Sequence, residues 1–97
     1  MAGYVILGKF RQDVPDMSRM DRDVSEQKAA IEKLGARLIG MWGLMGRFDF
    51  LMVLDAPDEM TATGIAALTG RAMNASTETA RAFSEEEMAA LGKQMTR

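Results

Sequence analysis

The stretch Gly46-Arg47-Phe48-Asp49-Phe50-Leu51-Met52-Val53-Leu54-Asp55 limits what this chain can fold into more than any other. A charged pair enters a run of aromatic and aliphatic residues, and Ala56-Pro57-Asp58 ends it, which is the pattern of a buried strand. Both of its alternating sets are largely apolar: Phe48, Phe50, Met52 and Leu54 on one side, Leu51 and Val53 on the other. Tyr4 to Phe10 repeats the pattern, with Tyr4, Ile6 and Phe10 set against Val5 and Leu7. An antiparallel sheet with one wet face alternates apolar and polar residues, so these two strands need cover on both sides. Helices of the same chain can supply one side, and the cheapest cover for the other is a second copy of the chain.

The other elements follow in order. After the first strand, Arg11 to Asp23 mixes charges with Val14-Pro15-Asp16, and a helix starts somewhere between Asp16 and Asp23. Met20, Val24, Gln27, Ile31 and Leu34 recur at helical spacing, and Gly35 is a natural stop. Ala36 to Met45 is a second strand, turned by Met45-Gly46-Arg47 into the third, Phe48 to Asp55. Asp58 caps a helix from Glu59 to about Gly70, with Ile65 and Leu68 on its apolar side and Gly64 marking a close approach to the sheet. Met73 to Phe83 is a fourth strand, poor in large aliphatics and therefore placed at an edge. Ser84-Glu85-Glu86-Glu87 is a capping box before a short helix carrying Met88, Leu91 and Met95 on one side.

The order β-α-β-β-α-β with an extra helix predicts one α+β domain spanning residues 1–97. It is a ferredoxin-like sandwich: a four-stranded antiparallel sheet in the order 4-1-3-2, two helices on one face, and a short C-terminal helix.

Composition removes whole classes of function. The chain of 97 residues has no cysteine and no histidine, so no cofactor and no metal site is expected, and any chemistry falls to carboxylates, Lys, Arg, Tyr or hydroxyls. A net charge of −2 and a pI near 5.1, without long runs of either sign, argue against nucleic acid as a partner. Nothing in the chain has the length of a membrane span, and no positive residue precedes the first apolar run, so the expected location is cytoplasmic, away from membranes.

Five segments carry a resemblance to the GYD domain family of small bacterial and archaeal proteins. They are Tyr4 to Phe10, Glu32 to Leu38, Gly46 to Asp49, Asp55 to Asp58, and Thr77 to Phe83, in the family's order and over most of the chain. The motif that names the family has an aromatic and an Asp at the positions of Phe48 and Asp49; Phe48 stands where the family usually has Tyr, so the phenolic hydroxyl is missing. The resemblance implies a fold similar to the dimeric α/β-barrel proteins, in which two sheets face each other across a shared interior. It implies no settled activity. Arg11 to Asp23 departs most from the family pattern and is read as a variable lid or a surface loop.

Asp49 in an apolar strand demands a partner. If Leu7 lies opposite Leu51, Lys9 falls near Asp49, with Trp42 on the neighbouring strand and Thr77, Thr79 and Arg81 on the fourth as further members of a polar cluster. In one reading Lys9, Arg47 or Arg81 holds an anionic group while Asp49 accepts a hydrogen bond, making the chain a homo-oligomeric small-molecule-binding or accessory module. A second makes Asp49 the base of a cofactor-free enzyme, with Lys9 or Arg47 steadying a developing negative charge. The third is a structural ion pair that fixes an assembly or closes the hairpin. Four other patterns are set aside. The third strand echoes an RNA-binding motif, but Asp49 would repel phosphate. Asp21 to Glu32 lacks the glycine that a calcium loop needs. Gly40, Gly43 and Gly46 do not join a strand to a helix, and the ten methionines are read as packing.

Overall fold

The structure, a computed structural model, describes residues 1–11, 18 and 20–95. Its elements are β1 (Ala2–Phe10), α1 (Met20–Lys33), β2 (Arg37–Gly43), β3 (Phe50–Ala56), α2 (Glu59–Met73), β4 (Ala75–Ala82) and α3 (Glu85–Met95). The start of α1 falls inside the expected window, whereas residues 12–17 and 19 of the segment read as a lid or loop lie outside the described residues.

The four strands form one antiparallel sheet in the order β2-β3-β1-β4, which is the expected 4-1-3-2 arrangement read from the other edge. Leu7 pairs with Leu51, as the apolar pattern requires. Ile6, Met52 and Leu54 are fully buried on one face, against Ile65 of α2 and Ile31 of α1. The two helices are tied by a buried hydrogen bond in which Gln27 Nε2 donates to Thr69 Oγ1 at 2.5 Å. Apolar packing thus stabilises the helix-covered face, and the buried polar pair Gln27–Thr69 is satisfied internally.

Four local details differ from the expected boundaries. β3 starts at Phe50 rather than Phe48, because residues 44–49 form a longer turn in which Gly46 takes a φ of 146°, open to glycine and costly for other residues. α2 continues past Gly70 to Met73 and stops at Asn74, which is left-handed and whose N–H returns to Gly70 O. The close approach expected at Gly64 occurs instead at Gly70, where an added Cβ would sit 2.9 Å from Ala75 O; Gly64 is exposed with nothing near it. Leu68 is also exposed, and the buried stripe of α2 is Ala62, Ile65, Ala66 and Thr69.

Among the described residues, no helix lies over the opposite sheet face. Val5, Leu7, Leu51 and Val53 alternate with the buried residues along β1 and β3 and are only half-buried. Trp42, across from Leu51 on β2, continues the patch and is 52% exposed. Its ring lies over Gly40, where a side chain would collide with it.

The capping box at α3 is present: Ser84 N donates to Glu87 Oε1 at 3.0 Å, and Glu87 N donates to Ser84 Oγ at 3.1 Å. None of the residues of α3 is buried. The radius of gyration, 14.8 Å, exceeds the roughly 12.5 Å of a compact domain this long, consistent with a helix that stands away from the body.

Candidate functional site

The end of the β1–β3 ladder gathers Lys9, Arg47 and Asp49. Three short hydrogen bonds fix Asp49 there. Its N–H donates to Gly8 O at 2.8 Å, its carbonyl accepts from Leu44 N at 2.8 Å, and its carboxylate Oδ2 accepts from Phe10 N at 2.7 Å. The side chain thus supplies an acceptor to a backbone amide just beyond the last paired residue, Gly8, and one residue knots β1 to the β2–β3 turn. The Asp49 carboxylate is engaged by the main chain rather than by Lys9.

Lys9 reaches the same turn through its ammonium, which donates to Arg47 O at 3.3 Å in an exposed position. The Arg47 guanidinium lies 5.6 Å from the centre of the Phe48 ring. Among the described residues Arg37 pairs with Asp55 at 3.4 Å and Arg81 with Glu87 at 2.8 Å, and neither Lys9 nor Arg47 pairs with a described carboxylate. Lys9 continues the alternation of Val5 and Leu7, which places this positive rim at one end of the open apolar face that also carries Trp42.

The fourth-strand candidates lie elsewhere. Thr77, Thr79 and Arg81 pair with Gly8, Ile6 and Tyr4, and therefore share the helix-side face. Arg81 sits at the far end of the sheet, where it donates to Gly3 O at 3.1 Å, to Ala82 O and to Glu87, and stacks between Tyr4 and Phe83. It fastens α3 to the sheet. The Glu87 carboxyl is held below its ordinary range, chiefly by the Ser84 amide and then by Arg81. The Thr61 amide does the same for the Asp58 carboxyl at the start of α2.

Two partners escaped sequence reasoning. The partner of Asp49 is the backbone of Phe10, and no residue letter signals a backbone amide. The Arg81–Glu87 pair crosses a strand–helix junction, where neither strand nor helix periodicity applies. Among the described residues no cluster of three or more His, Cys, Asp or Glu is placed to hold a metal ion, and no helix is long and apolar enough to cross a membrane.

A four-stranded antiparallel sheet, helices on one face, an uncovered apolar face and a polar knot at the hairpin end define a small ferredoxin-like α+β protein. The chain belongs to the GYD domain family, whose model matches residues 4–91, including the open face and the Asp49 knot. Among curated proteins, none matches the chain.

Proposed function

We propose that this protein is a cytoplasmic, homo-oligomeric binding module in which two copies close their open sheet faces on each other, as in a dimeric α/β barrel. Lys9, Arg47 and Trp42 at the rim then hold a small anionic or partly apolar molecule. The observation that carries this reading is the face itself: Val5, Leu7, Leu51, Val53 and Trp42 form an apolar patch across three strands that one copy leaves wet. The two cations at its edge, without carboxylate partners among the described residues, suit an anionic group there.

One observation favours assembly without a ligand. Asp49 already has a full structural role, since its carboxylate completes the hydrogen bonding of Phe10. In both readings Asp49 acts as an acceptor.

Trp42 is the only tryptophan, so its emission reports the face directly. Raising the protein from nanomolar to micromolar concentration is expected to shift that emission to the blue as sedimentation shows monomers converting to dimers or larger species. Leu51→Lys, which puts a charge in the middle of the patch, is expected to abolish both changes while leaving the circular dichroism spectrum intact. A wild-type chain that stays monomeric, with constant Trp42 emission, would remove the basis of the proposal.

A further inference from the structure

Away from the open face, the C-terminal half of α2 and the start of β4 border an open cleft of about 470 Å³. Its polar lining is Arg11, Arg71, Ser76 and Thr77, and Ala66 and Gly70 leave room between them. No Asp or Glu lines it among the described residues, although the chain as a whole has 14 acidic residues against 12 basic ones. Neither arginine enters an ion pair among those residues.

We propose that this cleft binds a phosphate group, either free or as the monoester of a small molecule. Guanidinium forks donate in pairs to phosphate oxygens, and hydroxyls can add further donors. Two such forks with the Thr77 hydroxyl suit the three terminal oxygens of a phosphate better than the two of a carboxylate, while the Ser76 hydroxyl faces the other side of the sheet and donates to Lys9 O at 3.5 Å. The positions of the cations are set by the fold. The Arg11 amide donates to Asn74 O at 3.0 Å, holding the end of β1 against the α2–β4 corner, and the preceding amide, that of Phe10, is held by Asp49. Arg71 lies in the last turn of α2, where the helix dipole favours a cation. The dipole opposes the anion with about half a charge, against the two full positive charges of the arginines. The Asp49 knot is therefore a positioning element for Arg11 as well as a hairpin clasp.

The test is a titration of the full chain with inorganic phosphate and, separately, with glycerol 3-phosphate, at constant ionic strength and followed by amide chemical shifts. Saturable shifts are expected at Arg11, Arg71, Ser76 and Thr77, while Val5 and Leu51 on the open face stay still. Arg71→Met keeps the aliphatic stem at an exposed site, so the fold should survive, and affinity is expected to fall about tenfold or more. Tighter binding of glycerol 3-phosphate identifies a monoester site, and equal or tighter binding of inorganic phosphate a free-phosphate site. Shifts that never saturate, that centre on Lys9 and Arg47 instead, or that survive Arg71→Met unchanged would overturn the proposal. None of these outcomes depends on whether the sheet faces associate.

Discussion

Leu54 and Leu51 lie three residues apart in one strand, and what separates them is cover. Leu54 points under the helices and is completely buried; Leu51 points to the open face and is half-wet. Polarity does not distinguish the two faces along β1 and β3, because each is built largely from apolar side chains. The second face therefore resembles a core that lacks its other half.

This contrast gives the largest expected effect. Leu54→Ala should cost about 2–5 kcal/mol whatever the protein concentration, since the cavity forms inside one copy. Leu51→Ala should cost about 1.5 kcal/mol or less in a dilute, monomeric sample, because the side chain is only half withdrawn from water. If copies pair through this face as proposed, its cost should rise at concentrations that favour the dimer, which would lose a buried contact. Urea unfolding of both variants at two well-separated concentrations tests the comparison. Equal, concentration-independent losses would mean that the faces differ less than their exposure suggests.

A middle-sized effect is expected at the junction between the faces. Asp49→Ala deletes the acceptor for the Phe10 amide and should destabilise the chain by about 1–3 kcal/mol. Asp49→Asn keeps a carbonyl oxygen in the same place and should cost clearly less. A base or an anionic ligand contact would give another pattern, in which Asn and Ala impair function alike while Asn spares stability. Measuring stability and any ligand response on both variants separates the clasp from the chemistry.

The sequence revealed the strand pairing because two doubly apolar strands have few ways to align, and Leu7 opposite Leu51 satisfies both. It revealed the α3 cap because a hydroxyl and a carboxylate three residues apart do one recognisable job. Parity along β4 placed Thr77, Thr79 and Arg81 together but could not say on which face, and they lie on the helix side, away from Lys9. Arg11 and Arg71 share a cleft through the α2–β4 corner, a tertiary accident of where Asn74 ends the helix, and no local pattern joins residues so far apart in the chain.

The smallest effect concerns the two capped helices, which differ in what lies beneath them. Asp58 caps α2 and Glu87 caps α3, and both carboxyls titrate below their ordinary range because each accepts backbone amide hydrogens when ionised. A depressed folded-state pKa means that each carboxylate's contribution is complete above the unfolded value, near pH 4, and is lost as the pH falls through the folded one. For α2 that loss should be nearly silent, since Ile65 and Ala62 hold the helix to the sheet. For α3, which buries nothing, the cap and the Arg81 bond are the main restraints visible in one copy. Amide exchange at Met88 to Leu91 should therefore speed up between pH 5 and pH 3 by more than exchange at Ile65 and Ala66, once corrected for intrinsic rates, and Glu87→Gln should flatten that step. If α3 instead stays protected throughout this range at micromolar concentration, packing of the stripe of Met88, Leu91 and Met95 on another copy would account for it, and α3 would join the open sheet face in the proposed interface.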